Sequence, residues 1–315
     1  FVSHRLPIAL ELIKKKYDVH LATQITEHYD FLVNLGIKVH HLNLSRSKIN
    51  FFKNFKEFFF INKIIRKVKP DILHLITIKP ILFGSFCCKF YKKPSLVLSI
   101  SGMGYVYTDI KLKQLLIKII LDFILKFSLK NPKAFFIFQN IDDQSYYIKR
   151  FKLNFHNTIL IPGSGVDTKK IQKKEIDFKN KNIFMACRLL KHKGVLEYIK
   201  AAEILKMHKP KINFYLAGNI DLDNPAKINV EYIKKYHDKG IIIFLGWSSN
   251  IIKDIKKSNI VVLPSYREGM PKFLLEAAAC GRPIITTDVP GCRDAITEKT
   301  GFLIEARNPN ALAES

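Results

Sequence analysis

Tryptophan is almost missing from this chain, with one in 315 residues. Acids are scarce too: 27 Asp and Glu stand against 52 Lys and Arg, a net charge of +25. Such a surplus of cations points first to nucleic acid or an anionic membrane. The lysines are spread along the whole chain, as codon bias in an AT-rich genome would spread them, and no RRM, KH, zinc-finger or helix-turn-helix pattern occurs. That sets nucleic acid aside. A membrane surface stays open, because anionic lipid rewards each nearby Lys or Arg by roughly 1 kcal/mol.

The five cysteines, at 87, 88, 187, 280 and 292, are odd in number and scattered. They form neither a disulfide framework nor a zinc spacing, which fits a reducing cytoplasm. Lys111–Lys130 is strongly apolar, but Lys118, Asp122, Lys126 and Lys130 recur as a polar stripe. It is therefore an amphipathic helix of the core or an interface, not a transmembrane span. No repeat period is visible. Ser101-Gly102-Met103-Gly104 follows a strand but lacks the third glycine of a dinucleotide fingerprint, so NAD is excluded. The chain begins on Phe, shows no signal peptide, and ends in NPNALAES, which reads as a helix start. The expectation is a chain truncated at both ends.

What is present is a succession of short β-branched runs separated by helical stretches and Gly or Pro punctuation. Strands are expected near Tyr17–Thr23, Gly36–Leu42, Pro70–His74, Ser95–Ile100, Ala134–Gln139, Asn182–Cys187, Ile212–Leu216, Ile241–Leu245, Asn259–Pro264, Pro283–Thr287 and Gly301–Ile304. Alternation of strand and helix implies an α/β protein with parallel sheets. Thr168–Asn182, rich in Lys and Asp, reads as a linker. It separates an N-terminal domain, 1–170, from a C-terminal one, 171–315. Lys48–Lys67, where Phe51, Phe52, Phe55, Phe58 and Phe59 recur near the helical period, reads as a helix with an apolar face and a secondary capacity for lipid contact.

The most informative stretch is Ser265–Asp294, SYREGMPKFLLEAAACGRPIITTDVPGCRD. Pro271 stands where a helix starts; Gly281 and Pro283 stand where one stops. Glu268, Gly269, Met270, Pro271 and Lys272 fall in the loop at the carboxyl end of a strand, which faces the ligand crevice in doubly wound sheets. Unpaired amides and the helix dipole there suit a phosphate. Glu276, further along the helix, offers a carboxylate to paired sugar hydroxyls, in preference to a plain ion pair with Lys272. Upstream, Arg188 and Lys193 lie in a loop between a strand and a helix, a cation pair suited to pyrophosphate.

E-G-M-P-K-x-L-L-E-A-A-A-C-G-R-P resembles the E-x7-E signature of family 4 retaining glycosyltransferases. The A-x-R-L-x-x-x-K-G run at 186–194 resembles that family's diphosphate loop, and F-V-S-H-R-L-P-I-A resembles the start of bacterial lipopolysaccharide-type members. The resemblance implies a GT-B fold, two Rossmann-like domains facing a cleft. It implies that Glu268 contacts the transferred sugar, Glu276 the ribose, and Arg188 and Lys193 the diphosphate. The turn at Gly218 would hold the base, with Trp247 either beside it or a buried anchor. His4, Ser101, Gly102 and Gly104 would line the acceptor side, and His74 is a second catalytic candidate, for which structural hydrogen bonding is the competing role.

No Asp-x-Asp metal motif is expected beside the phosphate elements, since Asp221-Leu222-Asp223 reads as part of a polar loop elsewhere. Neither metal nor cofactor is then required. The implied reaction moves an N-acetylhexosamine or hexose from a UDP-sugar to a lipid-linked saccharide, with retention, in surface polysaccharide assembly. The enzyme would sit in the cytoplasm, peripheral at the inner face of the cell membrane. Rival readings are a UDP-sugar 2-epimerase of the same architecture, a glycoside hydrolase using two carboxylates, and a non-enzymatic anionic-membrane binder.

Overall fold

The computed structural model describes the chain apart from residues 26, 43–50, 90, 92–93, 103–118, 120–121, 127, 132–133 and 223, with residues 51–55 described in backbone only. It divides into two compact units. The first takes in Phe1–Ile100, Ile119–Ile137 and Phe151–Ile159; the second takes in Ser101–Lys118, Phe138–Arg150 and Leu160–Ser315.

In the first unit, helix Val2–Lys14, strand β1 (His20–Thr23), helix Tyr29–Asn34 and β2 (Lys38–His41) make a small βα layer. β1 and β2 pair in parallel, His20 opposite Lys38 and Thr23 opposite His41. Ala9, Leu32 and Ile37 form its core, with Val2, Leu6, Ile13, Val19, Leu21 and Val39 packed around them. Helix Phe51–Val68 leads into β3 (Ile72–Ile76), helix Ile78–Cys88 and β4 (Ser95–Ile100). β3 and β4 are parallel, and with β5 (Ala134–Phe138) and β6 (Thr158–Leu160) they form a sheet ordered β3-β4-β5-β6. The Lys111–Lys130 helix expected from sequence lies largely outside the described residues; 122–126 and 128–129 are helical. Among the described residues no helix is long and apolar enough to cross a membrane.

The second unit holds helix Ile141–Phe151 up to Arg150, then β7 (Asn182–Ala186), helix Val195–His208, β8 (Asn213–Ala217), helix Val230–Asp238, β9 (Ile243–Gly246), helix Ile251–Lys257, β10 (Ile260–Leu263), helix Lys272–Ala279, β11 (Ile284–Thr287), β12 (Gly301–Ile304) and helix Pro309–Glu314. The strands are short apolar runs because helices cover both faces of the sheet. Phe184, Met185, Leu216, Val261, Val262, Leu263 and Ile284 are all buried. Tyr198, buried on its helix, spends its hydroxyl on the carbonyls of Ile183 (3.1 Å) and Tyr215 (2.9 Å), tying helix to sheet.

The strand order is β12-β11-β10-β7-β8-β9, and every pairing is parallel. The chain therefore winds one way from β7 and the other way from β10. Where two adjacent strands send their connections to opposite sides, the loops at their carboxyl ends part and leave a crevice. In this sheet that place is between β7 and β10, and the loops are 187–194 and 264–271.

Candidate functional site

β7 ends at Ala186, and its continuation stays tied to β8: Cys187 N–H donates to the Ala217 carbonyl (3.1 Å) and Leu189 N–H to that of Asn219 (3.0 Å). A short 3-10 turn, Lys191–Lys193, then brings the chain to Gly194, which caps the next helix with φ of 75°. A Cβ on Gly194 would stand 2.0 Å from the Pro264 carbonyl oxygen, so only glycine lets the two crevice loops approach this closely. The Tyr266 N–H reaches across to the His192 carbonyl at 2.9 Å.

The two loops also meet through charge. Lys193 Nζ donates to Glu268 Oε1 in a close ion pair, and Ser265 Oγ donates to the same oxygen at 2.7 Å. The Glu268 backbone is held as well, its N–H on the Pro290 carbonyl at 3.1 Å. Beyond it, Pro271 caps helix Lys272–Ala279 with no side-chain acceptor, and the Leu274 and Leu275 N–H groups turn back to the Pro271 carbonyl. Burial raises the Glu276 carboxyl, an effect opposed by Lys272. That lysine lies 3.4 Å away, so the i,i+4 ion pair that the sequence reading set aside is formed.

Arg188 donates from Nη1 to Asp221 Oδ2 at 3.0 Å. This corrects the placement of Asp221 away from the phosphate elements. β8 is the parallel neighbour of β7, so the loops after the two strands necessarily lie side by side. Gly218 begins that second loop. Its N–H bonds the Gly246 carbonyl at 2.7 Å, and a Cβ there would stand 1.9 Å from the Cys187 carbonyl oxygen. Trp247, after β9, is 71% exposed and is no buried anchor. Among the described residues no three His, Cys, Asp or Glu side chains gather so as to hold a metal ion.

Of the acceptor-side candidates, Ser101 and Gly102 come against the Glu268 loop. A Cβ on Gly269 would lie 2.6 Å from the Ser101 carbonyl oxygen, and one on Gly102 would lie 3.4 Å from the Gly269 nitrogen. Met270 turns its side chain onto Gly163, where a Cβ would meet Met270 Cγ at 2.6 Å. Gly104 lies outside the described residues. His4 and His74 belong to the first unit. His4 Nδ1 bonds Ser3 Oγ at 2.6 Å. His74 Nε2 bonds Ser99 Oγ on the neighbouring strand at 2.7 Å, and burial, aided by Arg5, pushes its pKa down to about 4.

Several residues here were not singled out from sequence. Arg267, beside Glu268, forms a close ion pair with Asp143, which is fully buried. Arg293 bridges Asp142 (3.3 Å) and Asp288 (2.7 Å). The Asn140 amide donates to the Gly269 carbonyl at 2.8 Å. Tyr266 donates to Glu197 at 2.7 Å. A polar residue followed by paired acids marks Asn140–Asp143 as a helix start, the one signal available for them. All five cysteines are free. Burial pushes the Cys187 and Cys292 thiols up to about 12, despite Lys193 nearby, which disfavours the reactive thiolate.

Comparison with known families decides what this crevice belongs to. Residues 1–140 match the model described as "Glycosyl transferase 4-like", and residues 166–315 match "Glycosyl transferases group 1". The chain is 32% identical over 336 aligned positions to N,N'-diacetylbacillosaminyl-diphospho-undecaprenol alpha-1,3-N-acetylgalactosaminyltransferase of Campylobacter jejuni, covering all of this chain and 87% of that protein. This chain belongs to that family of glycosyltransferases. It is also 28% identical to UDP-Gal:alpha-D-GlcNAc-diphosphoundecaprenol alpha-1,3-galactosyltransferase of Escherichia coli, over 82% of this chain and 68% of that one.

Among solved structures, this glycosyltransferase matches sucrose-phosphate synthase of Thermosynechococcus elongatus with a TM-score of 0.79 at 20% identity, covering 98% of this chain and 81% of that one. It matches Anabaena HepE in complex with UDP-glucose at 0.73 and 17% identity, over 98% and 84% of the two chains. These likenesses confirm the expected GT-B fold, with parallel sheets in two α/β domains.

Proposed function

We propose that the crevice between β7 and β10 binds the diphosphate and sugar of a UDP-sugar, and that the enzyme transfers an N-acetylhexosamine or hexose from it with retention. One observation carries this reading: at the point where the strand order reverses, Lys193 from one loop and Glu268 from the other meet in one ion pair. Glu268, held by Ser265 and by Lys193, is fixed where the transferred sugar would lie. Arg188, Lys193 and the backbone N–H groups of Gly269, Met270 and Lys272 stabilise the leaving diphosphate. Glu276 takes the ribose hydroxyls, exchanging Lys272 for them, and Gly218 and Trp247 face the base. Asp221 balances the Arg188 charge until a diphosphate competes for the guanidinium. These cations do the work of a divalent metal, so the reaction needs none. Ser101, Gly102, Gly104 and His4 serve the acceptor. His74 is assigned instead to holding the first unit's sheet, because its Nε2 is already spent on Ser99.

The acceptor is a saccharide on a lipid diphosphate, as the names of the relatives suggest, met at the inner face of the cell membrane by an otherwise cytoplasmic enzyme. Phe59 and Phe60 support membrane contact. Both are about half exposed, on a helix whose last turn carries Arg66 and Lys67. Calorimetric titration with UDP and GDP, in the presence of a chelator, tests the donor site. Binding of UDP by the wild type is expected, weakened roughly 10-fold or more in Glu276→Ala and Arg188→Ala, since each removes charge-assisted hydrogen bonds of about 1.5–3 kcal/mol. Failure of the folded wild type to bind either diphosphate would sink the assignment.

A further inference from the structure

A segment far from the signature in sequence is built into the donor loop. Asn140 precedes helix Ile141–Phe151 and is buried, as is Asp143 in its first turn. The Asn140 side-chain oxygen accepts from the Asp143 N–H at 2.8 Å, and its main-chain carbonyl accepts from the Gln144 N–H at 3.3 Å, the two bonds of a helix N-cap. That commits the oxygen end of the amide to the helix. The NH2 end is then aimed away from it, at the Gly269 carbonyl (2.8 Å), the Glu268 carbonyl (3.4 Å) and Asp143 Oδ2 (3.2 Å). Asp143 uses its other oxygen to receive Arg267, the residue before Glu268. Its neighbour Asp142 receives Arg293, which also holds Asp288 by side chain and main chain. Gln139 closes the other side: a Cβ on Gly269 would lie 2.4 Å from its Oε1.

The consequence is directional. Both peptide groups that orient the Glu268 side chain and the amides after Gly269 end in carbonyls pointed at one buried donor. Turned over, they would point their oxygens elsewhere and re-aim Glu268.

We propose that Asn140, with Asp143 behind it, is a positioning residue for sugar transfer. Its amide fixes the Glu268–Gly269 backbone, and its helix start, through Asp143, clamps Arg267, so that Glu268 stands in one register against the donor sugar. Neither residue touches substrate; both act through the loop. The inference rests on the donor site proposed above and adds the strut that holds it.

The decisive variant is Asn140→Asp. Aspartate caps a helix as well as asparagine does, but it sets an oxygen against two carbonyl oxygens where a donor stood. Because the change also sets a carboxylate against Asp143 Oδ2, a residue that only capped the helix would show it as lost stability and not as a lower kcat in the folded protein. The full chain is assayed with UDP-N-acetylgalactosamine and a synthetic diphospho-undecaprenol saccharide, and the exchange of main-chain amides over residues 265–273 is followed by mass spectrometry. The expected result is a kcat at least tenfold lower, with the donor KM within threefold of wild type and faster exchange over 265–273. Asn140→Ser, a second good cap too short to reach Gly269, keeps the test available if the aspartate variant does not fold. It is expected to lose at least tenfold in kcat as well.

A kcat within twofold of wild type in either folded variant, or unchanged exchange over that segment, overturns the positioning role. Calorimetry of the wild type with UDP separates the two layers. No binding by the folded wild type overturns the donor site itself, whereas normal binding beside an unaffected variant overturns only the strut.

Discussion

Titratable side chains are clustered on parallel strands in both units, on opposite plans. In the first unit they hang from the body of the strands. His74 on β3 reaches Ser99 on β4, and His20 on β1 stacks on His40 of β2 with ring centroids 5.1 Å apart and a nitrogen–nitrogen contact of 2.8 Å. Asp18 adds to this second cluster, bonding His20 at 3.3 Å and Lys38 at 2.8 Å. In the second unit the groups sit past the strand ends, in loops or in the first turn of a helix, and they meet as salt bridges: Lys193 with Glu268, Arg188 with Asp221, Arg267 with Asp143.

Register decides the first kind of partnership, and a strand cannot slip by one residue without turning every side chain over. Loops decide the second kind, which can therefore assemble residues from anywhere in the chain and exchange partners when a charged ligand arrives.

Breaking the second kind should have the largest effect. Glu268→Gln keeps the shape and an acceptor for Ser265 but removes the charge that holds Lys193. Turnover is expected to fall by about 10²–10³, the scale of losing one preorganised polar group at a reacting centre. Thermal unfolding should move little, and a steady-state assay beside a melting curve checks both. Next is Arg267→Lys, which keeps the charge opposite Asp143 but not the planar fork. A loss of about tenfold in kcat is expected.

Breaking the first kind should do the reverse. His74→Gln is expected to leave turnover within threefold while lowering Tm by about 2–4 °C, as befits one hydrogen bond of about 1 kcal/mol. A collapse of activity in a folded His74→Gln protein would return His74 to the catalytic list.

The smallest effect expected is a pH slope. His74, and His192 in the crevice loop, are both pushed down to about 4, chiefly by burial. An unfolded chain protonates its histidines near 6.5, so between pH 6.5 and 4 the unfolded state binds more protons. The stability these two groups confer is complete above pH 6.5 and is lost as pH falls toward 4. The Asp143 and Glu276 carboxyls, raised by burial, act in the opposite sense: they favour the folded state as it takes up a proton in acid. Melting curves from pH 7 to 4.5 should show a decline that is shallower in His74→Gln than in the wild type.

The sequence made legible whatever is punctuated locally. The strand expected at Ser95–Ile100 is β4 to the residue, and Gly301–Ile304 is β12. Pro271 and Gly281 bracket the signature helix, as glycine and proline chemistry requires. That Glu268, Lys193 and Arg188 stand in loops after strand ends was legible because motif spacing and strand ends coincide.

What stayed hidden was pairing across distance. Nothing local ties Asp143 to Arg267 or Asn140 to Gly269, and a tally of the excess lysines hides the few cations that matter. Asp221 was misplaced for a related reason: its loop looked merely polar until the strand order set β8 beside β7. The Lys272–Glu276 pair was visible as an i,i+4 spacing, and only the choice between two partners for Glu276 was open.

The contact between Gly194 and Pro264 has a consequence for how such an enzyme can diversify. The two crevice loops press backbone on backbone there, closer than any side chain permits. Neither loop can lengthen, and neither can change its course, without disturbing the other. The residues they carry are thus inherited as one block. New donor preferences must come from elsewhere, and the turns after β8 and β9 offer the room: Leu222 and Trp247 stand there 73% and 71% exposed. On the proposed assignment, the reacting end of the sugar would be read by the part of the crevice least free to drift, and the far end of the donor by the part most free to.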